Sequence, residues 1–409
     1  MEKVELLAPA GNMEKLKFAL KFGADAVYLS GKSWGMRAGA GNFNQHELQE
    51  AFDIIHQAGK KGYVTVNIFA HEHDFHGLLE YIQFLTHIHV DAVIVADPGI
   101  FHLIRKHFPE LTIHLSTQAN VTNRYAVKFW EQAGAKRITM ARELSIGEIE
   151  TIARNSNIEL EVFAHGAMCM AYSGRCMLSN FLTGRDANKG DCAHICRWEY
   201  TLQSVKRNDQ IIALEDERGT YLFNSNDLNT LPVLDKLLDA GIKSLKIEGR
   251  MKSVHYVSIV TKAYRQAIDL YYSKGKLDDD DKAELIKEVE KTSHRNFFTG
   301  FYEKKPGPGS HNTESSKYTS DYTMVGIVKE VYKSKGVLIE CRGRFGLNEK
   351  LQLITPDGKE EEIQFKQMKN ILGEKIDLTK PNQNIFVPYD KKLKIYGIIA
   401  KEVKQERER

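Results

Sequence analysis

The chain reads as an α/β protein, a TIM-like (β/α)8 barrel followed by a small β-barrel, and three observations carry that reading. Short β-branched runs alternate with amphipathic helical patterns over roughly the first 250 residues, the mark of a parallel α/β architecture. Those runs number eight, in the length a TIM barrel occupies. Beyond a Gly/Pro-rich break, EKKPGPGSHNTESS at 303–316, the chain turns to short strands punctuated by Gly, Asn and Asp.

In order, the barrel strands are expected at VELLA (4–8), DAVYLS (25–30), YVTVNIF (63–69), DAVIVA (91–96), TIHLS (112–116), RITMA (137–141), ELEVFA (159–164) and SLKIE (244–248). Helices are expected between them, at 12–23, 44–62 and 126–135 among others, several ending in Gly as helix C-termini do. FGADAVYL, VDAVIVA and AGAKRIT repeat one helix-to-strand junction. An open doubly wound sheet is the runner-up. No G-x-G-x-x-G follows the first strand, which counts against a dinucleotide site. The seventh unit is interrupted. About sixty residues separate its strand from the helical stretch at 228–241, and they read as a loop plus a β-hairpin of 199–205 with 211–216. An insertion there roofs the catalytic face of a barrel, and loops of that length are usually functional. The expected organisation is therefore a barrel at 1–275 with the insertion at about 166–226, a helical extension and linker at 276–316, and a β-barrel at 317–409. LDDDDKAELIKEVEKTSH opens the extension as a helix with an acidic first turn.

Composition bounds the function. A chain of 409 residues with 42% hydrophobic and 27% charged side chains is enzyme-sized, and a net charge of +3 does not by itself demand nucleic acid. Locally, Met168–Arg207 holds six Lys/Arg against three Asp/Glu, and Lys243, Lys246, Arg250 and Lys252 form a second basic stretch; surface solvation is the plain reading of both. The N-terminus has no apolar signal-like region and no run is long enough to span a membrane. A cytoplasmic protein with reduced thiols is expected, with no membrane partner.

Four of the five cysteines fall in one stretch, Cys169, Cys176, Cys192 and Cys196, spaced C-x6-C-x15-C-x3-C. Four thiolates suit a tetrahedral zinc or an iron–sulfur cluster. Only the last pair is as tight as a zinc knuckle, so the spacing favours iron–sulfur, with zinc as the alternative. Cys341 lies in an alternating strand and reads as a buried small hydrophobe.

Function on a TIM barrel collects at the C-terminal strand ends. Those positions hold Asn12, Ser30, Asn67, Asp97, Ser116, Gln118, Arg142, His165, Asn224, Asp227, Glu248 and Arg250. Polar strand ends are general to barrels, because the chain emerges into water there. Within the set, His165 and Glu248 are candidate proton-transfer groups. Arg142 and Arg250 suit bidentate binding of carboxylate or phosphate. A plain Glu248–Arg250 ion pair is the alternative. Asn67, Ser116, Gln118, Asn224 and Asp227 are candidate substrate contacts. His71, His73 and His76 lack metalloprotease spacing and read as a solvated or substrate-facing loop.

The run EVFAHGAMCMAYSGRCMLSNFLTGRDANKGDCAHICRW closely resembles the signature of the collagenase-like "U" peptidases of unknown catalytic mechanism. ELLAPAGNMEKLKFALKFGADAVYLSG, NIFAHEHD, HLSTQANVTN and LKIEGRMKS match further stretches typical of that family, and the C-terminal part is similar to its longer members. The branch it resembles is the bacterial tRNA hydroxylation proteins. The resemblance implies tRNA as partner, with hydroxylation of the wobble uridine to 5-hydroxyuridine and prephenate as co-substrate in place of molecular oxygen. It also implies a [4Fe-4S] cluster on the cysteines. Some relatives take their fourth thiolate further downstream; here Cys196 is the natural fourth ligand, since nothing lies between it and Cys341. A paralogous family member as heterodimer partner is a further implication. The family's name makes proteolysis the rival reading, although no Ser/His/Asp or Cys/His arrangement and no zincin motif is evident. An RNA-binding scaffold without catalysis is the third.

Overall fold

The computed structural model describes residues 3–36, 41–169, 171–189, 191–197, 215–216, 219–220, 226–305, 319–333 and 335–403. Seven strands follow one another around a barrel: β1 (Glu5–Pro9), β2 (Ala26–Leu29), β3 (Lys61–Val66), β4 (Ala92–Val95), β5 (Ile113–Leu115), β6 (Arg137–Thr139) and β7 (Glu159–Ala167). After a two-residue pairing of β8 (Glu215–Asp216) with β9 (Gly219–Thr220) and a short β10 (Asp227–Asn229), the eighth stave is β11 (Ser244–Ile247). Strand β11 runs parallel to both β1, with Glu5 opposite Ser244, and β7, with Ser244 opposite Glu161. That double pairing closes the barrel and excludes the open sheet. All eight expected strands are present, each within a few residues of its expected span.

The helices form where caps and apolar stripes coincide. They are α1 (Met13–Lys21), α2 (Gln45–Gln57), α3 (Leu78–His87), α4 (Pro98–His107), α5 (Arg124–Ala133) and α6 (Ile146–Ala153), then α7 (Leu178–Thr183) in the insertion, α8 (Leu234–Asp239) and the long α9 (Val254–Lys274). Asn12, Asn44, Asp97, Asn123, Ser145 and Ser253 each accept from a backbone N–H of the first turn, satisfying donors that have no helical partner. Gly134 stops α5 in the left-handed conformation, at φ +102°. The last barrel helix begins later than expected: Asp227–Asn229 are drawn into β10, antiparallel to the end of β7, and a 3-10 turn at Leu231–Val233 precedes α8. A two-residue strand, β12 (Phe297–Phe298), continues this annex beside β10.

Helix α10 (Asp279–Glu290) starts with the acidic turn and a capping box on Asp278. The C-terminal strands are β13 (Tyr322–Tyr332), β14 (Gly336–Cys341), β15 (Leu351–Ile354), β16 (Glu360–Ile363), β17 (Lys369–Asn370), β18 (Asn384–Val387) and β19 (Ile398–Glu402). They form one antiparallel sheet in the order β16-β15-β19-β13-β14-β18-β17. The sheet wraps a core that includes Val328, Phe345, Ile385 and the fully buried Cys341. Among the described residues no ladder joins the two end strands. A second apolar cluster ties this sheet to the barrel: Phe18 and Phe22 of α1 and Val254 and Ile259 of α9 pack against Ile327, Ile354, Ile398 and Ala400. Arg342–Glu14 at 2.6 Å and Lys291–Glu360 at 2.5 Å bridge the same seam.

The expected hairpin partner at 199–205 and 211–214, the linker from 306 and the tail after 403 lie outside the described residues. No described helix is long and apolar enough to cross a membrane.

Candidate active site

The barrel is plugged from below by charge rather than by the usual branched aliphatics. Arg137, 4% exposed, meets Glu5 at 2.5 Å, Glu159 at 2.7 Å and Glu161 at 3.5 Å. Lys246 meets Glu161 at 3.1 Å. Thr139 and Ser244 hydroxyls also donate to Glu161, at 2.7 and 2.9 Å. Burial alone would raise the Glu161 carboxyl, but Lys246 and Arg137 hold it down at about 2. His114 packs on Tyr63 in the same layer, and burial, aided by Arg137, keeps its ring neutral. The charges of this layer are paired with one another, as buried charge must be.

Above it opens a cavity of about 390 Å³. Its walls carry Asn67, Ser116, Gln118, Arg142, Glu248 and Arg250, all strand-end residues, together with all four clustered cysteines. Gln118 Oε1 accepts from Asn67 Nδ2 at 2.8 Å and Ser116 Oγ at 3.1 Å. Tyr28 donates to Glu248 Oε2 at 3.2 Å. Arg250, 3% exposed, lies near Asn42 and Thr65 oxygens, each at 3.5 Å. Arg142 differs from the rest. It is 9% exposed, its guanidinium lies 3.8 Å over the Phe163 ring, and its buried Nε has no hydrogen-bond partner. Among the described residues no carboxylate is ion-paired with it. An unpaired buried guanidinium is costly unless a ligand completes it.

The insertion forms the roof, and it is pinned to three barrel loops. Ser173 donates through N–H and Oγ to Glu143, both at 2.6 Å. Arg175 Nε donates to the Gln118 carbonyl at 2.9 Å, and the guanidinium covers Phe69. Lys189 reaches Asp74 at 3.1 Å, and the Phe69 N–H donates to the Asn188 carbonyl. The cysteines therefore stand over the C-terminal mouth.

The model of peptidase family U32 matches residues 11–312, and that of the family's C-terminal domain matches residues 320–400. The chain belongs to peptidase family U32. It is 39% identical over 357 residues to "tRNA hydroxylation protein P1" of Bacillus subtilis (strain 168), an alignment covering 87% of this chain and 84% of that one. It is 36% identical to "tRNA hydroxylation protein P" of Escherichia coli (strain K12), with 91% of each chain covered. It is also 33% identical to a Porphyromonas gingivalis protein named "Collagenase", with 81% of this chain and 80% of that one covered.

Not every candidate of this U32 chain reaches the cavity. His165 does not: it stands behind the wall against Tyr256, Tyr264 and Phe297, with Nδ1 3.3 Å from the Tyr264 hydroxyl. A register shift between Lys246 and Ile247, paired with Phe163 and His165, breaks the in–out alternation of β7 and turns the imidazole outward. Burial lowers its pKa to about 3. The same bend brings Gly166, at φ +112°, so near the Glu248 carbonyl that a Cβ would lie 2.6 Å from it. Asp227 is also removed from the cavity, locked to Arg295 at 2.6 Å with both side chains buried. Asn12 and Asp97 are helix caps, and Ser30 is buried and donates to the Gly31 carbonyl. Asn224 lies outside the described residues. His71, His73 and His76 sit on an outer loop, where His73 meets Asp74 and Lys189.

Lys246 and Arg250 correct the surface reading of their stretch: both are buried and face the cavity. Reading missed Lys246, Thr65, Thr139 and Arg175 as cavity residues. The available signal was alternation: in ELEVF and SLKIE the charged residues recur at every second position, the inward face of a barrel strand.

The donor set suits an iron–sulfur cluster in kind. Four half-buried thiols line one cavity, and the His194 N–H donates to Cys192 Sγ at 3.3 Å, a contact of the type that tunes cluster sulfurs. Among the described residues no three His, Cys, Asp or Glu side chains stand close enough to share one ion.

Proposed function

We propose that this protein hydroxylates RNA, with the wobble uridine of tRNA as target and 5-hydroxyuridine as product. In this reading Cys169, Cys176, Cys192 and Cys196 hold a [4Fe-4S] cluster, and prephenate supplies the hydroxyl group without molecular oxygen. The observation that carries the reading is Arg142, a buried cation with no carboxylate partner among the described residues, in a cavity roofed by four thiols. A dicarboxylate donor is the kind of ligand that completes it. The names of the Bacillus subtilis and Escherichia coli relatives supply the RNA and the reaction type.

A bound cluster would supply electron transfer or Lewis acidity next to the substrate. The chain's own residues do the rest. Arg142 and Arg250 bind and orient the donor's carboxylates, and being buried they act in a medium where charge interactions are strong. Lys246, fixed by Glu161, holds positive charge at the cavity floor. Glu248, oriented by the Tyr28 hydroxyl, holds or moves a proton at Oε2. Asn67, Ser116 and Gln118 present a fixed polar edge to a base. The pinned roof covers the site. The peptidase reading gains nothing from His165, the candidate proton-transfer group, which is turned away from the cavity against Tyr264.

Mass spectrometry of tRNA nucleosides from cells lacking this protein tests the reading. 5-Hydroxyuridine and nucleosides built on it should disappear, return with the wild-type chain and stay absent with Cys176→Ala. An unchanged nucleoside profile, or cleavage of collagen by the purified protein, would overturn it.

A further inference from the structure

Helix α7 exposes most of its apolar residues. Phe181 is 83% and Met177 76% exposed, and Leu178 and Leu182 are exposed too; of the helix only Ser179 is buried. Met177 and Leu178 also border the cavity, so the apolar patch runs unbroken into its mouth. The turn at Thr117–Ala119 touches Tyr172–Gly174 of the insertion, and helix α5, which follows that turn, exposes Tyr125 and Phe129. Cations are interleaved with these rings. Arg124 lies over Tyr125, and Arg175 sits two residues before Met177. Among the described residues neither these two nor Lys128 has a carboxylate partner. Of the nearby acids, Glu143 is engaged by Ser173 and Asp191 by Arg185.

We infer that this rim is a stacking platform for the unpaired nucleotides flanking the one that enters the cavity, so that the partner bound there is a single-stranded RNA loop. The inference rests on the RNA reading above and adds where the RNA lies. A base that enters an enclosed site must leave its stack, and its neighbours lose a stacking surface. Exposed rings beside the mouth replace that surface, and Arg124 and Lys128, which have no carboxylate partner among the described residues, meet the phosphates between. A protein docked on the same patch would cap the mouth that Met177 and Leu178 border. Cations without a carboxylate partner among the described residues likewise favour a polyanion.

The test uses the full chain and a stem-loop RNA whose loop carries uridine, with the fluorescent base 2-aminopurine beside it. Binding is measured at two salt concentrations for the wild type, Phe181→Ala and Phe181→Trp, with sedimentation of each protein alone. Phe181→Ala should bind about tenfold more weakly, the order of one lost base–ring stack. The salt dependence should stay the same because no phosphate contact is removed. Phe181→Trp should restore affinity. If the wild type binds the loop and Phe181→Ala binds it equally well, the platform is overturned while the RNA reading stands. If the wild type binds no RNA and cells lacking it keep their 5-hydroxyuridine, the RNA reading itself falls. A wild-type dimer that Phe181→Ala splits would make the patch a protein interface and overturn the inference.

Discussion

Arg137 and Arg142 are five residues apart, both buried, and opposite in circumstance. Arg137 points down into the barrel and meets three carboxylates. Arg142 points into the cavity and meets an aromatic face. The difference separates structure from function. A buried cation whose partners are all present stabilises the fold and leaves nothing for a ligand to add. A buried cation without them costs stability, and that cost is recovered only when an anion binds.

The comparison can be broken experimentally, starting with the largest effect. Cys169→Ala, Cys176→Ala and Cys192→Ala should each abolish iron binding, and with it all hydroxylated nucleoside; Cys196→Ala should do the same. Iron and sulfide analysis of anaerobically purified protein checks this, at about four of each per wild-type chain. A colourless wild type holding one zinc would remove the roof from the chemistry and leave Arg142 without its proposed role.

Exchanging the two arginines sharpens the contrast. Arg137→Met should lose about 3–5 kcal/mol of stability, because Glu5 and Glu161 would be left buried beside too little positive charge. Arg142→Lys should leave the melting temperature unchanged or slightly higher, yet reduce 5-hydroxyuridine at least about tenfold through loss of bidentate geometry; Arg250→Lys should behave alike. Denaturant melts beside nucleoside analysis of complemented cells separate the outcomes. Near-normal product in both lysine variants would place the donor elsewhere.

His165 supplies the smallest effect and a sign. Burial holds its folded pKa at about 3, below the ordinary imidazole value of about 6.5. The unfolded chain therefore binds one more proton between those values, and stability is lost as pH falls through that window. His165→Phe, which keeps a ring among Tyr264 and Phe297, should remove about 1.4 kcal/mol per pH unit of that dependence. It should leave hydroxylation near normal. A large loss of product at pH 7 would return His165 to the active site.

The barrel was legible because its strands are buried on both faces and so read as β-branched runs bounded by Gly and Asp. The six cavity residues Asn67, Ser116, Gln118, Arg142, Glu248 and Arg250 were legible by position, since they stand near the C-terminal ends of those runs or just beyond them. His165 and Asp227 were not, for a single reason. The register shift at Phe163–His165 reverses which side of β7 faces inward, and β10 adds on to its end. A shift of this kind leaves no mark in composition or periodicity. The charged floor was missed for another reason. Arg137, Glu161 and Lys246 satisfy one another across 109 residues of chain, and reading along the sequence sees each only as a solvated charge.

The seam of Phe18, Phe22, Val254 and Ile259 against the C-terminal sheet has a mechanical meaning. Helix α1 starts beside the cavity, with Lys15 donating to the Arg250 carbonyl, and ends in that seam. The sheet is thus mounted on the same rigid strut as the site. It stands at a set reach from the chemistry, like the fixed jaw of a caliper. A nucleic acid gripped by both would be measured for length as well as read for sequence, and loosening the seam would blunt that measurement without touching a single group in the cavity.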